Sequence, residues 1–438
     1  MTDKAVSPEE YRAQIARARK PFAAMVGTYC LGAMNDNFFK QAGCLIAITV
    51  GFEQLQGLGG LVFTLPWLLF ASQAGWLADR YPKRNIIIAS KLLELVAMLI
   101  GAAGILTTNW YLFMTMLFIM ATQSTIFSPA LNGSIPELYP RSYVIKANSV
   151  VKMIVTACNL VGIIAAGFAL GSDGFGLIPF AEPGRWVVAI LIVTVALIGL
   201  VLSFFVPHKK AADPDAKFPA RAVWDTIARL AKIKKDKLLW AVLMLDACVW
   251  LVAILQILII NDLAKNHYGL ADSQTSFLLI PELLGVAVGG ILAGKIAAGP
   301  LWFKPVTKIF ILLAVATAAI SGVGILPNSA ELIATCALLA VAGIAGGILL
   351  VPLESFFQIR PADTEKGAVI AAGNFTGFVG MAIASVIYML IADNIPQPAM
   401  FLIVSAVSLA AAFYAARVFR NNPECRAALA QAVVASKG

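Results

Sequence analysis

Three observations predict an all-α membrane protein with twelve transmembrane helices in two six-helix bundles. The chain of 438 residues is 60% hydrophobic and only 13% charged, whereas a soluble domain carries about 25% charged residues. Its mean hydropathy is +0.84. Apolar runs of membrane-crossing length, roughly 20 residues, recur along it, and one long polar stretch, residues 207–237, divides them six and six. This polarity excludes a string of soluble domains. The net charge of +9 would suggest nucleic acid in a soluble protein; here it reads as the basic cytoplasmic side of a membrane protein.

Taken in order, the chain opens with a polar segment, residues 1–21. Charges run from Asp3 to Lys20 with no early apolar core, so this segment is not a cleavable signal peptide. The first span, 22–48, is expected to stay in the membrane. Further spans are expected near 58–78, 85–106, 110–133, 144–170 and 185–206, then near 238–260, 274–298, 305–326, 330–353, 367–391 and 398–417. Each reads as a helix, because lipid offers no partner to an unpaired backbone group. The first bundle thus covers 22–206, the linker 207–237, the second bundle 238–417 and a cytoplasmic tail 418–438.

Lysine and arginine set the orientation. The segments expected inside hold 28 of them, while the outside loops hold only Arg185 and Lys265; Lys40, Lys91 and Lys152 lie within spans. This asymmetry predicts cytoplasmic termini. In the linker, Arg221–Lys235 alternates apolar and basic residues at helical spacing. Two readings stand: a basic amphipathic helix on the inner leaflet, or a solvated connector. His208 and Asp213 make an H-x-x-x-x-D spacing with no α/β pattern around it, and we read it as coincidence. The six cysteines (Cys30, Cys44, Cys158, Cys248, Cys336 and Cys425) form no C-x-x-C pair and read as small apolar fillers.

Ionisable groups at bilayer depth are costly and mark function. Asp36 and Lys40 in span 1 are four residues apart on one helix face, with Asn35 and Asn37 adding hydrogen-bonding groups. Either a functional pair lining a central cavity or a structural ion pair fits that spacing. Lys91 and Glu94 in span 3 read as structural, with Lys91 reaching back to the inner surface. Lys152 in span 5 has no local partner and needs an acid across the bundle or an anionic substrate. Asp246, Glu282 and Glu354 are the acids of the second half, open between gating and coupling. Glycines crowd spans 8, 10 and 11 and allow close helix approach.

After span 2 the chain reads Gly75-Trp-Leu-Ala-Asp79-Arg80-Tyr-Pro-Lys83-Arg84. This G-x-x-x-D-R-x-x-[KR]-[KR] spacing resembles the loop 2–3 signature of the major facilitator superfamily, whose fold is two parallel six-helix repeats. Gly290-Ile-Leu-Ala-Gly294-Lys295 resembles its degraded counterpart in the second half. The resemblance implies rocker-switch alternating access. It gives Gly75, Asp79, Arg80, Lys83 and Arg84 a gating role. Asp79 would latch the cytoplasmic side by pairing with a base of its own bundle and facing the start of span 11.

Further motifs are similar to one branch of that superfamily, the bacterial lysophospholipid transporters, including those fused to an acyltransferase. They are Gly32-Ala33-Met34-Asn35-Asp36-Asn37-Phe38-Phe39-Lys40, Phe127-Ser128-Pro129-Ala130, Lys146-Ala147-Asn148, Val351-Pro352-Leu353 and Val369-Ile370-Ala371-Ala372-Gly373-Asn374. The chain departs from the branch at Leu131-Asn132, where Lys-Tyr is usual, and at Lys152, where an acid is usual. A rearranged headgroup site and a different substrate are both open readings of that change.

The resemblance implies a carrier that moves lysophospholipids, chiefly lysophosphatidylethanolamine, from the outer to the inner leaflet of the bacterial inner membrane. A separate acyltransferase would then rebuild the diacyl lipid; with the chain ending at 438, no fused one is expected. The headgroup contacts implied are Asp36 and Lys40, with Lys152 for phosphate and Asn35, Asn37 and Asn374 adding hydrogen bonds. No cofactor, metal or nucleic acid is expected. A carrier for another amphipathic or anionic solute is the alternative. A membrane-bound lipid enzyme ranks far lower, because the two histidines, His208 and His267, both lie outside the spans.

Overall fold

The computed structural model describes residues 8–174, 182–297, 301–361 and 366–435. Every regular element among them is helical. The first half contains α1 (Pro8–Thr49), α2 (Gln54–Arg80), α3 (Lys83–Thr107), α4 (Trp110–Leu138), α5 (Arg141–Leu170) and α6 (Pro183–Ser203). A linker helix follows, α7 (Ala222–Ile233). The second half contains α8 (Lys237–Asp262), α9 (Asp272–Leu278), α10 (Ile280–Ile296), α11 (Val306–Ser321), α12 (Asn328–Ile359), α13 (Lys366–Ile391), α14 (Gln397–Asn421) and α15 (Pro423–Ala435).

Among the described residues, eleven helices are long and apolar enough to cross a membrane. The sequence reading had twelve. The twelfth, span 1, lies within α1, a helix of 42 residues. There Asn35, Asp36, Asn37, Lys40 and Gln41 dilute the apolar run, and the polarity that marks a site also hides a span. The helix starts at Pro8, so much of the polar N-terminal segment continues α1, and Pro21 lies inside it.

Two compact units divide the chain. One holds the residues up to Leu45 and Leu65–Ala222; the other holds Ile46–Thr64 and the chain from Val223 onward. In the first unit α3 packs on α4 and α6. Its apolar core joins Met25, Ile87, Phe127, Leu131 and Ile135. Gly162 of α5 lies directly on the Met34 carbonyl of α1, where a β-carbon would clash.

In the second unit α8 packs on α13, α11 on α14, and α10 on α12. Four glycines bring α10 and α12 together backbone to backbone. A methyl at Gly285 would overlap the Ala340 carbonyl, and methyls at Gly289, Gly343 and Gly347 would overlap those of Ile344, Glu282 and Val286. Span 8 is built from α9 and α10, with Pro281 in the first turn of α10. Proline has no N–H for the preceding turn, and the helix breaks there.

The linker forms a helix over Ala222–Ile233. Trp224 and Ile227 share one exposed face, while Asp225, Arg229 and Lys232 share the other. The tail is also helical: α15 follows α14 after one residue, with Asn422 Oδ1 accepting from the Glu424 and Cys425 N–H groups as its cap. All six cysteines are free thiols, Cys30 and Cys425 buried and the others half-buried.

Candidate functional site

Asp36 lies near the middle of α1 and is 8% exposed. Its Oδ2 accepts from the Ser124 hydroxyl of α4 at 2.8 Å. Next to Ser124, Gln123 Nε2 donates to Glu94 Oε2 of α3 at 3.2 Å. Lys91 Nζ completes the chain with an ion pair to that oxygen at 2.5 Å and stands 5.0 Å from the centre of the Phe127 ring. Lys40, Lys91 and Glu94 are all close enough for their charges to act on Asp36. Two acids and two bases thus meet inside one bundle, drawn from two helices, with a third supplying the neutral partners.

Buried polar groups are nearly always hydrogen-bonded. Here Asp36 Oδ1, Glu94 Oε1 and Gln123 Oε1 are buried with no hydrogen-bond partner among the described residues. Three acceptors of this cluster therefore have capacity to spare.

This arrangement corrects the sequence reading of Lys91. It does not reach the inner surface; at 1% exposure it is among the most buried large side chains. Its ammonium fits because residue 32 is glycine, where a β-carbon would occupy the ammonium's place. Gln123 and Ser124 were missed altogether. Neutral polar residues in an apolar span carry little signal of their own, although two adjacent ones at mid-span were legible.

The flanking asparagines bond to neighbouring helices. Asn35 is 1% exposed and donates to the Ile192 carbonyl of α6 at 3.1 Å. Asn37 donates to Asn159 of α5 at 3.0 Å and to its own helix at Ala33. Lys152 sits on α5, but its side chain lies outside the described residues, as do those of Lys146 and Asn148. Asn374 is exposed on α13. Leu131, where the branch has lysine, is 1% exposed in the apolar core, and the next residue, Asn132, is exposed.

The loop 2–3 residues stitch together one end of the first unit. Lys83 pairs with Glu137 at the end of α4, and Arg84 donates to the Phe204 carbonyl after α6 at 2.9 Å. Arg80 and Trp76 both donate to the Ala216 carbonyl of the linker, at 2.9 and 2.8 Å. The Asp213 N–H donates to the Asp79 carbonyl at 2.9 Å, so Asp213 has a place in the linker strap, while His208 is exposed. The Asp79 side chain is itself exposed and makes no ion pair among the described residues. A β-carbon at Gly75 would meet open space.

In the second unit, Asp246 of α8 is 2% exposed and lies within electrostatic reach of Glu354 on α12. Glu282, at the start of α10, accepts a hydrogen bond from Gln256 of α8. The sequence reading missed a fourth acid. Asp262 is fully buried and accepts from Asn266, from Tyr388 of α13 and from Gln397 of α14. Gln56 of α2 donates in turn to the Tyr388 hydroxyl at 2.8 Å. With span 7 expected to end at 260, Asp262 read as a loop residue, but the helix runs to Asp262 and continues as a π-helical turn, Leu263–His267.

Paired helical bundles of membrane-crossing length, with buried charges held between helices, define a multi-span membrane transporter. A family model described as the Major Facilitator Superfamily matches residues 22–385, and the chain belongs to that family. Among its relatives, the lysophospholipid transporter LplT of Enterobacter sp. (strain 638) is 25% identical, covering 85% of this chain and 88% of that protein. An uncharacterized MFS-type transporter, YfiS, of Bacillus subtilis (strain 168) is 24% identical, covering 73% of this chain and 75% of that protein. Among solved structures, a bacterial homologue of the human lysosomal transporter Spinster, inward-facing and occupied, matches with a TM-score of 0.72 at 14% identity over 96% of this chain and 99% of that one. A point mutant of the nucleoside transporter NupG matches with a TM-score of 0.71 at 10% identity, over 91% of this chain and 99% of that one.

Proposed function

We propose that this major facilitator transporter moves lysophospholipids of the lysophosphatidylethanolamine type from the outer to the inner leaflet of a bacterial inner membrane, by rocker-switch alternating access with both termini cytoplasmic. One observation supports this reading above the rest. The span 1 motif shared with lysophospholipid transporters supplies Asp36, and Asp36 belongs to a buried cluster of mixed charge with unfilled acceptors. A zwitterionic phosphoethanolamine headgroup carries the matching charges. Its ammonium suits Asp36 Oδ1 and Glu94 Oε1, and its phosphate suits the Lys40 ammonium. Burial strengthens both contacts, since charges attract more strongly away from water. The product suits a separate acyltransferase on the inner side.

One observation favours a second reading, a carrier for another amphipathic or anionic solute. Leu131 fills the apolar core where the branch carries a lysine, so this chain has one cation fewer there.

Reconstitution separates the two. Proteoliposomes loaded with labelled lysophosphatidylethanolamine in the outer leaflet are extracted with albumin over time. Protein-dependent protection from extraction is the expected result. No protection by correctly folded protein, with protection of another anionic amphiphile, would favour the second reading.

A further inference from the structure

The tail helix α15 does more than end the chain: with α11 and α14 it walls a groove of about 650 Å³. Lys304, Arg420 and Arg426 line it, joined by Thr307 and Asn421, over an apolar floor that includes Phe419. The floor is rigid. Phe419 packs against Phe303 and Trp302, with ring centroids 5.6 and 5.8 Å apart, and Trp302 packs at a tilt on Phe356 at 4.7 Å. Arg426 is held in place, Nε donating to the Arg420 carbonyl at 3.0 Å and Nη2 to the Asn421 carbonyl at 3.3 Å. Both bonds use the last carbonyls of α14, and the other edge of the guanidinium has no hydrogen-bond partner among the described residues. Arg360 clamps the outer side of α15, donating to both Glu424 oxygens and to Asp236. No acid lines the groove among the described residues.

We infer that this groove is a binding site for a phosphate ester, with Arg420, Arg426 and Lys304 as its cations and Thr307 and Asn421 as neutral hydrogen-bonding groups. An arginine held in place by carbonyls presents a preset fork to phosphate oxygens. The aromatic floor gives the ester an apolar neighbour, which suits the glycerol end of an anionic phospholipid. Basic pockets between spans on the cytoplasmic side take such headgroups. The groove shares no residue with the Asp36 cluster and needs no transported substrate, so it stands whether or not the carrier moves lysophospholipid.

Native mass spectrometry of the full-length protein tests it, with phosphatidylglycerol and phosphatidylethanolamine as probes and glycerol 3-phosphate as competitor. Each basic contact with an anionic lipid is worth about fivefold in affinity. Wild type is expected to retain phosphatidylglycerol in preference to phosphatidylethanolamine, and Lys304→Gln with Arg420→Gln to lower that retention by roughly tenfold or more. Both residues are exposed, so the double variant folds; Arg229→Gln with Lys232→Gln on α7 controls for general loss of charge and is expected to keep the preference. Displacement of the lipid by glycerol 3-phosphate keeps the site and assigns it to soluble phosphate esters; resistance to displacement assigns it to the lipid. Equal retention by wild type and the groove variant, or an equal loss in the α7 variant, would overturn the proposal.

Discussion

The ammonium of Lys91 lies against Gly32, in the space a β-carbon would need. That contact lets an ion pair be buried between α1 and α3, and it explains a glycine in the span 1 motif by packing. Lys91→Met leaves Glu94 buried without its cation, at a cost of about 3–5 kcal/mol. Lys91→Met with Glu94→Gln removes both charges and is expected to recover more than half of that loss. Thermal unfolding of wild type, Lys91→Met, Glu94→Gln and the double variant in one detergent gives the cycle. Additive losses would show that the pair is not coupled.

The glycine seam between α10 and α12 makes a similar claim in the second unit. Gly343→Ala forces a methyl into the Glu282 carbonyl and is expected to cost about 1–3 kcal/mol. Gly294→Ala, on α10 but facing open space, is expected to be close to neutral. Equal melting temperatures for the two variants would contradict the seam.

Asp79 makes no ion pair among the described residues, and Gly75 faces open space. Local packing therefore explains neither residue of the loop 2–3 signature. Asp79→Asn is expected to leave folding unchanged and lower transport roughly tenfold. Gly75→Ala is expected to melt no lower than wild type, so that any loss of transport it shows reports on motion. Full transport by a well-inserted Asp79→Asn protein would remove Asp79 from the gate.

The clamp on α15 is expected to respond to pH. Burial acts to raise the Asp236 carboxyl, but hydrogen bonds from Arg360 and the Leu239 N–H outweigh it and leave it below the usual range. Hydrogen bonds from Arg360 also hold Glu424 below its ordinary value. Carboxyls depressed in the folded state add stability above their unfolded pKa and lose it as pH falls through the folded one. The clamp is thus intact at neutral pH and loosens below the ordinary carboxylate range. Hydrogen exchange over 423–435, corrected for its intrinsic pH dependence, is expected to speed up in acid. In Arg360→Gln it should already be fast at pH 7; slow exchange there would contradict the clamp.

The helical spans and the site's first residue were legible because they are local properties: apolar run length, basic loops, and an acid in the middle of a span. Partners were not. Nothing local in α1 says that Asp36 meets Ser124, or that Lys91 turns inward to Gly32 rather than outward to water. Lys83 and Arg84 read as gating charges, yet they also staple α4 and α6 through Glu137 and Phe204. Asp262 was lost to a boundary two residues short of the helix end. The tail carried no expectation of a helix, because the bonds that hold α15 come from Arg360, over sixty residues away.

Uptake of labelled lysophosphatidylethanolamine into cells lacking their own lysophospholipid carrier, with wild type and Asp36→Asn side by side, tests the central claim most directly. Asparagine keeps the Ser124 hydrogen bond and removes the charge. Uptake by wild type that is lost in an equally abundant Asp36→Asn protein is the predicted result. Undiminished uptake by the variant would contradict the Asp36 site, and no uptake by a correctly inserted wild type would contradict the substrate.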